Sequence, residues 1–144
     1  YDFDALGIPG GFGAAKNLNT WAFDGPDCEI DHAVKHLIID MVNAKKPIAA
    51  LCMGPTVIAS ALQGTGIGTK LTVGTDKEKS PYDIKGISDG MESVGAMSVM
   101  KTIREICVDE ENKIVTAPCY MMEATISEVR KNAKDAIDKL ISLI

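Results

Sequence analysis

The stretch that most constrains this chain is Ile48-Ala49-Ala50-Leu51-Cys52-Met53-Gly54-Pro55, where a short apolar run stops at a cysteine and gives way to a helix-like segment. A run that brief, closed by Gly54 and Pro55, reads as a buried parallel strand turning directly into a helix, because proline is tolerated in a helix's first turn. The turn holds Cys52 at the strand's carboxyl end. This is the arrangement of a nucleophile elbow, in which the corner exposes the side chain and the helix N-terminus supplies N–H groups and partial positive charge; both favour a thiolate. The plainer reading is that free cysteine often packs as a small hydrophobe. A second glycine-rich strand end, Leu6-Gly7-Ile8-Pro9-Gly10-Gly11-Phe12-Gly13, tips the balance toward a site. Two strand ends of this kind suggest one small volume.

Around these two corners the pattern alternates. Residues 3–8 read as a strand, and the glycines after Pro9 form a loop whose payload is backbone amides. It lacks the GxGxxG and GxxxxGK[ST] patterns, so a phosphate cradle is not supported. Residues 14–28 read as short helical turns pinned by Trp21 and Phe23. Over residues 30–42 the apolar positions Ile30, Ala33, Val34, Leu37, Ile38, Met41 and Val42 recur at threes and fours, which predicts an amphipathic helix. His32, His36 and Asp40 fall on the opposite stripe. Their spacing suits a metal in principle, but the Glu of HExxH is missing and the stripe faces away from the core, so they read as solvated and no metal is expected.

Beyond the Cys52 corner the sequence predicts a short helix over 56–62, a strand over 70–74 and an exposed charged loop around Asp76-Lys77-Glu78-Lys79. A surface helix follows over 83–91, then extended segments over 98–102 and 105–108, a turn at 109–112 and a strand over 113–116. The last helix carries Ile126, Val129, Ala133, Ile137, Leu140, Ile141 and Ile144 on one apolar face. This order implies an α/β layered domain with a mainly parallel sheet and a small antiparallel hairpin near 105–116. Ligands in such sheets sit at the carboxyl ends of the strands, where Gly10-Gly11 and Cys52 both fall.

Composition narrows the function classes. With 144 residues, 46% of them hydrophobic, the chain can bury the core of one domain. A net charge of −5 with scattered basic residues argues against nucleic-acid or anionic-membrane partners. No apolar run approaches the roughly 20 residues needed to span a bilayer. The four cysteines, at 28, 52, 107 and 119, show no CxxC pair and read as reduced thiols, with Cys107 packed in a strand and Cys28 in a loop. The sequence opens at Tyr1 and enters a strand within a few residues, so an earlier segment is expected.

The motifs Ile8-Pro9-Gly10-Gly11-Phe12-Gly13-Ala14-Ala15-Lys16-Asn17-Leu18, Asp24-Gly25, Asp27-Cys28 and Cys52-Met53-Gly54-Pro55 resemble one branch of the PfpI and class I glutamine-amidotransferase-like superfamily. It is the enhancing-lycopene-biosynthesis, or isoprenoid-biosynthesis amidotransferase-like, branch. Further matches are Leu71-Thr72-Val73-Gly74-Thr75-Asp76 and Val108-Asp109-Glu110-Glu111-Asn112-Lys113-Ile114-Val115-Thr116-Ala117-Pro118. The resemblance implies a flavodoxin-like three-layer sandwich in which Cys52 is the reactive residue and the N–H groups of Gly11 and Met53 form an oxyanion hole. Gly10, Phe12, Gly54, Pro118, Cys119 and Tyr120 are the candidate pocket residues, with Met121 and Met122 nearby. It also implies that residues 1–144 are the C-terminal portion of one domain. About 80 residues with the first strands, and an acidic side chain bonded to the cysteine, would lie upstream or on a companion chain. The sheet edge they leave would need cover.

Two departures bear on chemistry. Met53 stands where superfamily peptidases carry a histidine, and no histidine follows His36, so glutamine hydrolysis is not expected. The activity the resemblance implies is that of a cofactor-independent glyoxalase-type lyase, turning glyoxal or a similar small dicarbonyl into the hydroxy acid. Its proton shuttle would be the absent carboxylate, with Asp76 in reserve. The alternatives are a redox-responsive or chaperone-like protein that senses through oxidation of Cys52, and a catalytically inactive amidotransferase-like subunit. The expected partners are a small aldehyde and a second copy in a homodimer. The expected compartment is the cytoplasm, or the mitochondrion in a eukaryote.

Overall fold

The computed structural model describes residues 2–144. In chain order the elements are β1 (Leu6–Ile8), α1 (Gly11–Asn17), α2 (Trp21–Asp24) with a 3-10 turn at Gly25–Asp27, α3 (His32–Asn43), β2 (Ile48–Leu51) and α4 (Gly54–Leu62). Then come β3 (Lys70–Leu71), α5 (Ile84–Ser93), β4 (Met97–Ser98), β5 (Cys107–Asp109), β6 (Ile114–Ala117), a 3-10 turn at Cys119–Met121 and α6 (Ile126–Ser142). The central sheet runs β1-β2-β6-β5. Its first three strands are parallel and β5 is antiparallel to β6, while β3 and β4 form a separate parallel pair.

Side-chain size explains the layering. Ile48, Ala49 and Ala50 of β2 are all buried, and the alanines let α4 on one face and α6 on the other approach closely. Every residue of α4 is buried, as expected of a helix that is apolar all round. Its two polar side chains turn inward on their own backbone, Thr56 Oγ1 donating to the Met53 carbonyl at 2.7 Å and Ser60 Oγ to the Thr56 carbonyl at 2.8 Å. The amphipathic segment before β2 folds as α3, capped by Asp31, whose carboxylate accepts from Val34 N at 3.0 Å, and it packs Ile38, Met41 and Val42 into the core.

Several elements differ from the sequence pattern. The strand read over 3–8 is β1 alone, and the glycine segment read as a loop is the first turn of α1, which begins at Gly11. The strand read over 70–74 pairs regularly only at Lys70–Leu71, because Thr72 turns its amide to the Thr116 hydroxyl, at 3.0 Å, instead of to a ladder carbonyl. The extended segment read over 98–102 shrinks to β4. In α6 the face toward the sheet is Val129, Asn132, Ala136 and Leu140, whereas Ile126, Ile137 and Ile141 are exposed, as is Ile144 beyond the helix end. A buried asparagine set the helix's rotation, because its amide bridges two backbone groups that no isoleucine could satisfy.

One side of the sheet is open. No described strand pairs with the outer edge of β1. Apolar grooves flank that edge, Phe3, Leu37 and Met41 on one face and Ala49, Leu51 and Ile137 on the other.

Candidate functional site

The parallel register places Ile8 beside Ala50 and Leu51 beside Ala117, so the chain segments leaving β1, β2 and β6 emerge together at the carboxyl end of the sheet. Cys52 N donates to the Ala117 carbonyl at 3.1 Å, one step past the last regular pair, and the backbone then turns sharply through a left-handed conformation at Cys52, φ 58°. Such a φ is uncommon for a residue with a Cβ and marks a corner that its surroundings hold in place. Those surroundings are tight. Gly10, φ 89°, passes so close to β2 that a Cβ there would run into the Leu51 carbonyl oxygen. A Cβ on Gly54 would lie 3.1 Å from the Ile8 carbonyl oxygen. The two glycine-bearing corners are therefore packed against each other.

A cavity of about 440 Å³ opens over Cys52. Pro9, Gly10, Gly11 and Phe12 wall one side, Cys119 and Tyr120 another, and Val129 and Ala133 of α6 close the base. Tyr82 reaches over from the loop before α5, its ring edge-on to Phe12 with centroids 5.3 Å apart. Asn132, with 1% of its surface exposed, fixes the far wall: its side-chain oxygen accepts from Cys119 N at 2.9 Å and its amide donates to the Glu105 carbonyl at 2.8 Å.

Electrostatics at the thiol depart from the thiolate expected of the corner. Burial pushes the Cys52 thiol above its ordinary value, and hydrogen bonds from the backbone amides of Gly11 and Met53 pull it back without cancelling the rise. Cys119 is driven further, to about 12, by burial first and by the Cys52 charge second. No carboxylate, histidine, lysine or arginine among the described residues lines the cavity.

Of the expected residues, Gly10, Gly11, Phe12, Cys52, Cys119 and Tyr120 thus share the cavity, and Met53 contributes its amide while its side chain is buried in the core. Gly54 and Pro118 do not line it, because each is buried beneath its own strand end. Met121 packs into the core, Met122 lies against Gly74, and Asp76 is exposed on its loop. Tyr82, Val129, Ala133, Pro9 and Leu51 line the site without having been singled out. The spacing of Val129 and Ala133 on the apolar face of α6 is a signal for those two; nothing local points to Tyr82. His32 borders a separate polar cleft with Cys28, whose sulfur lies 3.2 Å from Ser60 Oγ, and His36 is exposed on α3. No group of three metal-ligating side chains occurs among the described residues.

Known proteins resemble the chain along nearly all its length. The rat ES1 protein homolog, mitochondrial, is 36% identical over 143 residues, covering 97% of this chain and 52% of that protein. The human glutamine amidotransferase-like class 1 domain-containing protein 3, mitochondrial, is also 36% identical, covering 97% of this chain and 51% of its own length. The chain therefore spans about half the length of the curated relatives it matches. Among solved structures, an Ehrlichia chaffeensis isoprenoid biosynthesis protein with an amidotransferase-like domain superposes with a TM-score of 0.81 at 28% identity, covering 99% of this chain and 60% of that one. Drosophila melanogaster DJ-1beta shares the fold, with a TM-score of 0.55 at 18% identity. No family model matches.

Proposed function

Because this chain belongs to the PfpI and class I glutamine-amidotransferase-like superfamily, we propose that Cys52 is a nucleophile toward small carbonyl compounds, in a cofactor-independent reaction of the glyoxalase type. The observation that carries this reading is the convergence of two backbone amides, Gly11 and Met53, on a thiol that faces a small cavity. In the reaction, the Cys52 sulfur adds to an aldehyde carbon of glyoxal and forms a hemithioacetal. Its oxygen takes the place among the Gly11 and Met53 amides that the sulfur leaves, and donors fixed in advance stabilise that charge at no cost of reorganisation. The hydrogen on the thiol-bearing carbon then leaves as a proton and returns to the neighbouring carbon, giving a thioester. Water releases glycolate and regenerates the thiol.

Cys52 must first lose its proton, and the apolar walls oppose that. A proton acceptor is therefore part of the proposal, and the described residues lining the cavity do not supply one. We place it on the remainder of a larger domain, of which this chain is the C-terminal portion, or on a companion copy. The unpaired edge of β1, the grooves flanking it and the nearly twofold length of the relatives support that placement. The mitochondrial names of the rat and human relatives make that organelle the place to look for the protein in a eukaryotic host.

The test is turnover of glyoxal and methylglyoxal by the whole protein and by its Cys52→Ser variant. The proposal predicts conversion to the hydroxy acid, reduced about a thousandfold or more in the variant. Equal rates in the two proteins, or a reactive thiol with no turnover, would reject the enzymatic reading, and the second result would favour a redox sensor.

A further inference from the structure

Two thiols, not one, face the cavity. Cys52 leaves β2 and Cys119 leaves β6, and the two strands are neighbours in parallel register, with Leu51 opposite Ala117. The Cys52 N to Ala117 O hydrogen bond carries that pairing one residue further, so Cys52 stands level with Pro118 and next to Cys119. Adjacent strands lie about 4.8 Å apart, so Cys52 and its level neighbour Pro118 stand at that spacing and Cys119 is one residue away, a range that overlaps the roughly 4.4 to 6.8 Å between the α-carbons of a disulfide. Both side chains pack into the same apolar cluster on the α6 face of the sheet. Each cysteine also sits in a left-handed backbone conformation, φ 58° and 47°, which turns it out of the strand's alternation toward the corner. The remaining thiols are elsewhere: Cys28 lies against Ser60 beyond α4, and Cys107 is buried on β5 outside the cavity.

We propose that Cys119 is the resolving partner of Cys52, closing a Cys52–Cys119 disulfide across the ends of β2 and β6 once a hydroperoxide has oxidised Cys52. The inference rests on the reading of Cys52 as the reactive thiol. In the first step the Cys52 sulfur attacks the peroxide. An S–O bond forms, the O–O bond breaks, the sulfur is oxidised by two electrons to sulfenic acid, and the peroxide is reduced to water or an alcohol. In the second, the Cys119 sulfur attacks the Cys52 sulfur. The S–S bond forms, the S–O bond breaks, and the hydroxyl leaves with the Cys119 proton as water.

The walls that enclose Cys119 also keep it protonated, its pKa pushed up to about 12. A protonated thiol attacks slowly. Closure therefore competes with a second oxidation of Cys52 to sulfinic acid, and the disulfide forms in best yield when peroxide is scarce. Asn132, which holds the Cys119 backbone from below, keeps the resolving sulfur in place.

The experiment treats the whole protein with about one equivalent of hydrogen peroxide, blocks free thiols and maps peptides by mass without reduction. The expected result is a cross-linked pair of peptides carrying Cys52 and Cys119, with the protein lighter by two hydrogens. In a Cys119→Ala variant, whose smaller side chain suits the buried position, Cys52 should instead gain two oxygens, at least about tenfold more than in the parent at the same dose. If Cys52 becomes sulfinic acid equally fast in both proteins, Cys119 plays no part and the proposal fails while Cys52 keeps its assigned reactivity. A disulfide from Cys52 to Cys28 or Cys107 also overturns it. If Cys52 neither oxidises nor alkylates, both this proposal and the function proposed above fall together.

Discussion

The two ends of the central sheet each withdraw an ionisable side chain from bulk water, Asp109 buried and Cys52 half-buried, and they treat it in opposite ways. At the amino end of β6, Asp109 is 5% exposed, yet its carboxylate accepts from Asn112 N at 3.1 Å, Asn112 Nδ2 at 2.9 Å and Lys70 N at 3.0 Å. Burial alone would push its pKa up, but those donors outweigh it and hold the carboxyl below its usual range. At the carboxyl end, Cys52 receives two amides and burial wins, so its thiol is raised. The number of directed donors decides the sign. One end spends its donors on a buried carboxylate and serves stability. The other keeps amides and a thiol aimed into a cavity, which is what chemistry on a bound molecule requires.

The largest expected effect bears on how tightly the reactive corner is built. Gly10→Ala should cost roughly 3 kcal/mol or more in a urea melt, because the new methyl group meets the Leu51 carbonyl and adopts a positive φ. Gly11→Ala, with open space around it, should cost only about 1 to 2 kcal/mol. Equal losses would mean that the corners are not packed against each other. At the other end, Asp109→Ala should cost about 2 to 3 kcal/mol by stranding the donors of Lys70 and Asn112.

Acid and alkali should attack different ends. Asp109 has a lowered pKa in the fold, so its contribution is present above the ordinary carboxylate value of about 3.9 and is lost as pH falls through the folded value. Urea midpoints of the parent should drop in acid more steeply than those of Asp109→Asn. Cys119 has a raised pKa, so its contribution is present below the free-thiol value of about 8.5 and is lost as pH climbs toward about 12. Cys119→Ala should flatten the alkaline limb and leave the acid limb unchanged. Asn132→Ala should cost about 1 to 2 kcal/mol by unpairing the Cys119 amide and the Glu105 carbonyl. Smallest of all, Lys85→Ala should leave the urea midpoint within error, since its pair with Asp89 is solvent-exposed.

The same contrast explains what could be read from the sequence. The Cys52 corner was legible because strand, glycine and proline are contiguous, and α3 because its apolar positions recur within one helix. The parallel sheet and the antiparallel β5–β6 hairpin followed from the order of elements. What depends on distant partners was not legible. Ile137 and Ile141 looked like core, yet the rotation of α6 is set by what Asn132 bonds in the Cys119 turn and the Glu105 loop. Tyr82 joins the site from a charged loop through its contact with Phe12, 70 residues earlier. The sign of the Cys52 shift was hidden for the same reason: the amides could be inferred from the two corners, but the walls that outweigh them come from α6 and the Cys119 turn.

The contrast between the ends turns on whether walls outweigh amides at Cys52, and alkylation measures this directly. Iodoacetamide labelling of this chain, with Cys52 followed by peptide mapping across a pH series, should give a rate midpoint above the free-cysteine value of about 8.5. A midpoint well below neutrality would mean that the Gly11 and Met53 amides prevail, and would contradict the account.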